Sequence, residues 1–251
     1  MKKFFKFGFT LPEVLIALSI AGVIAALVIP PLATTTQNNK NAAALGRSVE
    51  VIETGCQMLI QRANELSSNG EFFGHYDIAL SDIGINSMNT VSGSGLIFNN
   101  ASEFFNTTPL TSEQVTSYKN MVKNYNGTTP PNPPLNEIVE NYALNPRLGS
   151  YYGVSDHYAE STNDDEITEI IYIDVNGTGS PNRYGIDIFL FGLTDRCNMV
   201  PAGSQRVKNV FDIGGIVSMP LSTEACDDHV DNGLSCTERV VREGYKNNYK
   251  R

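Results

Sequence analysis

Charge is what this chain is short of. Charged residues make up 18% of its 251 residues, and none lies between Glu13 and Lys40. The run from Val14 to Ala33, apolar or small throughout, fills most of that gap. About 20 residues of helix rise about 30 Å, the thickness of a bilayer's hydrocarbon core, so the gap reads as a membrane-spanning helix. Positive charge is scarce too: 18 Lys and Arg against 27 Asp and Glu give a net charge of −9. Such a balance argues against broad electrostatic binding to nucleic acid or to anionic headgroups. The three histidines, His75, His157 and His229, stand in polar, loop-like stretches with no nucleophilic triad around them. No enzyme is expected. Gly93-Ser94-Gly95 lacks the Gly-Lys-Ser/Thr ending of a phosphate loop, and no internal repeat is present.

What precedes the uncharged run is distinctive. Lys2, Lys3 and Lys6 come first, then Gly8-Phe9-Thr10-Leu11-Pro12-Glu13. Lysines before the span and an acidic body after it place the N-terminus in the cytoplasm and the body outside. Glu13 is the odd feature, because an ionisable group at the mouth of a membrane helix is costly and needs a partner.

This order of residues resembles the signal of type IV pilins and type II secretion pseudopilins. The resemblance implies a leader Met1–Gly8 removed by a prepilin peptidase, an N-methylated new terminus at Phe9, and an assembly role for Glu13. Pro30 falls where pilin helices often bend. Pro12 departs from the family's usual aliphatic residue, but proline is tolerated in a helix's first turn, where its missing N–H has no intrahelical partner anyway. Loss of the leader takes the net charge from −9 to −12. A conventional secretory signal, cut after Ala33, has a shorter apolar core of about 7–15 residues. A plain signal anchor has no need of this residue order.

Beyond Pro30-Pro31 the residues Ala42, Leu45, Val49, Ile52, Cys56, Leu59, Ala63 and Leu66 step by threes and fours, one stripe of a helix. Lys40, Arg47, Glu50, Glu53, Gln57 and Arg62 occupy the other side, and Asn69-Gly70 ends the run. Between 70 and 166 one helix is expected: Thr111 and Gln114 form a capping box, Val115, Tyr118, Val122 and Tyr125 a stripe, and Gly127 a stop. Residues 130–134 form an extended linker, and a short helix is expected from Asn136 to Leu144, stopped before Pro146. Strands are expected from Ile167 to Val175 and from Tyr184 to Leu193 around an Asn176-Gly177 turn, a β-hairpin, with further strands at Val207–Ile213 and Gly215–Met219. The tail from Cys236 to Tyr249 fits a closing strand or a short helix.

Two groups of side chains invite a role. Asp174, Asn176 and the facing Asp187 place acidic and amide oxygens around a glycine turn, a donor set suited to calcium; the bland reading is a turn whose Asp174 and Asn176 cap backbone amides. Calcium is possible there and not required. Four cysteines in an exported chain are expected to pair. Cys226 and Cys236 enclose nine residues, and a bridge there contributes about 2–3 kcal/mol. Cys56 is either a plain core residue or the partner of Cys197.

The expected fold is α+β and pilin-like: a long N-terminal membrane-spanning helix packed on a small antiparallel β-sheet head. Its parts are the leader 1–8, the transmembrane assembly helix 9–33, its amphipathic continuation 34–69, a variable polar region 70–166 and the sheet part of the head 167–251. The resemblance implies a subunit of a type IV pilus or type II secretion pseudopilus. Implied partners are other subunits, the prepilin peptidase/methyltransferase, an inner-membrane assembly platform and the lipid bilayer. The expected location is the bacterial inner membrane, single-pass, then the fibre. The competing expectation is a membrane-anchored binding or adhesion protein that does not polymerise.

Overall fold

A computed structural model describes residues 10–66, 102–128, 142–154, 167–194, 196–204 and 233–242. The chain divides into two compact units, Met1–Lys40 and Asn41–Arg251. One helix, α1 (Leu11–Leu66), contributes to both and continues through Pro30 and Pro31.

In the first unit α1 supplies the segment Leu11–Pro30, 20 residues with a mean hydropathy of 2.4 and no buried part. Leu15, Leu18, Val23 and Leu27 are all more than half exposed. A helix that is apolar on every side meets its solvation requirement in lipid, and this one is long and apolar enough to cross a membrane.

The second unit is built on a six-stranded antiparallel sheet in plain meander order. Its strands are β1 (Thr108–Pro109), β2 (Tyr142–Asn145), β3 (Ser150–Val154), β4 (Ile167–Asp174), β5 (Ile188–Thr194) and β6 (Met199–Pro201). Period-two alternation sorts the side chains. Ala143, Tyr152, Ile171, Ile173, Phe189, Phe191 and Leu193 point to one face and pack with Leu45, Ile52, Cys56 and Leu59 of α1. Each such aliphatic side chain, fully withdrawn from water, contributes about 1.5–3 kcal/mol. Tyr142, Ile170, Tyr172, Ile188 and Leu190 point to the opposite face and pack with Val115 and Tyr118 of α3 (Ser112–Met121) and with Val122 after it. The sheet is therefore covered on both sides, and β5 is buried along its whole length.

Three features bind α1 to this unit. Cys56 is bonded to Cys197, with their Cα atoms 5.6 Å apart. Glu53 Oε1 accepts the Met199 amide at 2.8 Å. Gly55 lets the short helix α2 (Ser102–Phe105) approach, since a Cβ there would lie 2.6 Å from Phe105 Cδ1 and 2.8 Å from the Phe104 carbonyl oxygen. The α1 stripe is buried as the periodicity predicts at Ala42, Leu45, Ile52, Cys56 and Leu59. The expected stop at Asn69-Gly70 lies outside the described residues.

The antiparallel α+β architecture is the expected one, but several expectations are corrected. The sheet is not confined to 167–251, because β1, β2 and β3 fall within 70–166. The helix expected over Asn136–Leu144 is not formed at its end, where Tyr142–Leu144 belong to β2. Pro146 is not a helix stop but part of the β2–β3 turn, which Asn145 closes by accepting the Arg147 and Leu148 amides at 3.0 and 3.1 Å. Helix α3 has the expected capping box at Thr111 and Gln114 but ends at Met121, before Gly127. The second arm of the hairpin starts at Ile188 rather than Tyr184, because Tyr184–Asp187 remain in the connecting turn. The tail forms a helix, α4 (Cys236–Arg242). Strands expected at 207–213 and 215–219 lie outside the described residues.

Candidate functional site

The turn between β4 and β5 brings the three oxygen-bearing residues together. Asp174 and Asp187 are both fully buried. Asp174 Oδ1 accepts the Asn176 amide at 3.0 Å, and Oδ2 accepts the Tyr118 hydroxyl at 2.5 Å. Asp187 Oδ1 accepts the Arg183 amide at 2.6 Å; its Oδ2 accepts the Asn182 amide at 2.8 Å and Asn176 Nδ2 at 3.3 Å. With its amide group oriented to donate, Asn182 Nδ2 reaches the carbonyls of Gly177 at 2.8 Å and Gly179 at 2.7 Å. Burial pushes the Asp174 carboxyl well above the usual carboxylate range, and the charge of Asp187 pushes it further. Burial raises Asp187 to about 6.

Does this turn suit calcium? The ion takes six to eight oxygens. Each carboxylate oxygen of Asp174 and Asp187 is already held by a protein donor, and Asn176 presents its Nδ2, not its oxygen, to Asp187. No group of three or more His, Cys, Asp or Glu suited to a metal occurs among the described residues. As arranged, the residues form an amide-capped turn in which the buried Asn176 Oδ1 is the one side-chain oxygen without a hydrogen-bond partner. Tyr118, Tyr142, Tyr172 and Tyr184 pack edge to face behind Asp174 and complete a buried polar core. The sequence did not point to this cluster, because tyrosines on a strand look like ordinary cross-strand packing.

The second place of interest is the start of α1. Thr10 is the residue before the helix, and its carbonyl accepts the Val14 amide at 3.2 Å. Glu13 turns back on it: Oε2 accepts the Thr10 amide at 2.8 Å and the Thr10 hydroxyl at 2.7 Å. This is the carboxylate half of a capping box, in which the third helical residue satisfies an amide that the helix leaves orphaned. The pattern Thr-x-x-Glu is written in the sequence and was the signal for it. Glu13 Oε1 has no partner among the described residues. Gly8 and Phe9 lie outside the described residues, as do Cys226 and the three histidines.

This geometry coincides with a recognised signal. A family description, the prokaryotic N-terminal methylation motif, matches residues 5–29. The chain carries the type IV pilin and pseudopilin signal. The match covers the N-terminal tenth of the chain, from before the leader glycine to one residue short of Pro30. No curated protein and no solved structure matches the chain. Within the pilin signal, Glu13 is the acid that opens the apolar run, and Thr10, Pro12 and Glu13 together form the helix start.

Proposed function

We propose that this chain is a pilin-like structural subunit of a type IV pilus or a type II secretion pseudopilus. Prepilin peptidase removes Met1–Gly8, Phe9 is N-methylated, and α1 anchors the subunit in the bacterial inner membrane with the head outside. Subunits then leave the bilayer and join a fibre through their N-terminal helices, with other subunits and an inner-membrane platform as partners. One observation carries this reading: the pilin signal at residues 5–29 runs directly into an apolar helix that exposes all its sides.

Glu13 is the residue on which assembly turns. In a water-poor bundle of helices its carboxylate needs a cation, and the amine of Phe9 on a neighbouring subunit is the one the processed chain supplies. Either charge buried alone is costly; together they are tolerated. Oε2 is taken by Thr10 and Oε1 is open among the described residues, so the carboxylate can accept that amine without giving up its cap.

The test is Glu13→Ala in a strain that makes the fibre. The expected outcome is a cleaved, membrane-inserted subunit whose share of the sheared-fibre fraction falls at least about tenfold. A cleaved Glu13→Ala subunit present in fibres at the wild-type level refutes the pairing. If wild-type protein is processed but enters no fibre, the membrane-anchored binding protein is the correct reading.

A further inference from the structure

We infer that Asn126 is an acceptor for an N-linked saccharide, because the turn 124–128 displays the triplet Asn126-Gly127-Thr128 on the surface of the folded head. The inference rests on the export reading above, since this triplet is modified in exported proteins. An asparagine followed two residues on by serine or threonine is the pattern for attaching a saccharide to the side-chain amide. It occurs here at Asn100, Asn106, Asn126 and Asn176. In a chain rich in asparagine and threonine such triplets also arise by composition alone, so the structure has to choose among them. A bulky saccharide has to stand outside the packed core whenever it is added.

Asn176 fails that test. Its Nδ2 donates to Asp187 Oδ2 at 3.3 Å and its Oδ1 is buried, so a saccharide on the nitrogen displaces part of the β4–β5 turn. Asn106 is half-buried and faces a cleft lined also by Glu50, Val51 and Asn145. Its triplet ends in Thr108, which pairs with Leu144 in the sheet. Asn100 lies outside the described residues. Asn126 and Thr128, by contrast, are both exposed. Asn126 Oδ1 accepts the Thr128 amide at 2.9 Å and the Thr128 hydroxyl at 2.7 Å. A backbone amide only donates, so the oxygen is the end of the carboxamide turned to Thr128 and Nδ2 lies on the other side. The hydroxyl that the pattern requires is therefore already seated on the acceptor side chain. Asn124 holds it there: Nδ2 donates to Thr128 Oγ1 at 3.1 Å, and the Asn124 amide donates to the Thr128 carbonyl at 2.9 Å. Gly127, at φ 86°, supplies the left-handed bend between them. Val122, just before the turn, is buried in the cluster on the sheet face opposite α1, so a saccharide here leaves the α1 packing untouched.

The donor is a saccharide joined through a diphosphate to a membrane lipid. A bond forms from Asn126 Nδ2 to the saccharide's anomeric carbon, that carbon's bond to the diphosphate breaks, and the lipid diphosphate leaves with one amide proton. The experiment takes the protein from membranes of the bacterium that makes it, digests it with trypsin and reads the peptide 124–147 by mass spectrometry. The expected result is a form heavier by whole sugar residues, with fragmentation placing the added mass on Asn126. Asn126→Gln and Thr128→Val are expected to lose that mass, and Thr128→Ser to keep it. The valine variant removes the hydroxyl and leaves the backbone amide at 128 to hold the turn. A wild-type peptide recovered wholly at its unmodified mass overturns the inference. So does added mass that survives Asn126→Gln, which belongs on a hydroxyl instead. A head that stays protected from protease added to spheroplasts sinks the export reading itself, a result distinct from an exported but unmodified head.

Discussion

Asp187 holds its proton to about pH 6 in the folded protein because burial disfavours its charged form. In the unfolded chain an aspartate titrates near pH 3.9. Between about pH 4 and 6 the folded state therefore binds more protons than the unfolded one, and stability falls as pH rises through that window. Asp174 is shifted in the same direction, by burial first and by the charge of Asp187 second, and adds to the effect. The melting temperature of detergent-solubilised protein is expected to be higher at pH 5 than at pH 7.5. Asp187→Asn should flatten that dependence, and an unchanged slope in this variant refutes the assignment. Calcium added to chelator-stripped protein is expected to leave the melting temperature where it was. A rise that Asp187→Asn abolishes would put the ion in the turn.

Among the elements, α1 is tightly constrained at Gly55. A methyl group there has to share space with the Phe105 ring edge and the Phe104 carbonyl oxygen, both within 3 Å. The ring can turn aside but the carbonyl cannot. Gly55→Ala is expected to destabilise the second unit by about 1–3 kcal/mol, the usual range for overpacking, read by chemical denaturation against wild type. The bond from Cys56 to Cys197 closes a stretch with a sequence separation of 141. In the chain-entropy picture its removal costs about 2–5 kcal/mol, so Cys56→Ala with Cys197→Ala is expected to lower the denaturation midpoint by a corresponding amount. Much at this scale was legible in the sequence. The α1 stripe and the Thr111–Gln114 box each follow from a local pattern, and both formed. Strand β2 did not show itself: Tyr142–Leu144 is too short for periodicity to separate strand from helix, and Pro146 punctuates a turn as well as a helix end. The pairing of Cys56 with Cys197 and the convergence of Tyr118 on Asp174 are long-range facts, set by how the meander folds back, and no local signal carries them.

On the scale of the whole molecule the remaining cysteines matter. Cys236 is disulfide-bonded, and Cys226 lies outside the described residues. A non-reducing peptide map is expected to recover two linked pairs, Cys56 with Cys197 and Cys226 with Cys236; a Cys226 thiol that alkylates freely refutes the second. The sheet's two outer margins bear on how such subunits can meet. At β6 the Val200 and Ala202 positions turn inward to β5, as the Ala202 amide on the Leu190 carbonyl shows, which leaves Met199 and Pro201 facing out. Glu53 of α1 has taken the Met199 amide, and Pro201 has none to give. At β1 the Leu110 amide goes to Tyr142, and the residue facing out is Pro109, again without an amide. Among the described residues neither margin offers a visiting backbone a donor from within its strand, so a neighbouring copy's amides meet only the outward carbonyls of Met199, Pro201 and Pro109. Along these two margins a head can therefore receive a neighbour's hydrogen bonds but not return them, which leaves side chains as the reciprocal means of cohesion there.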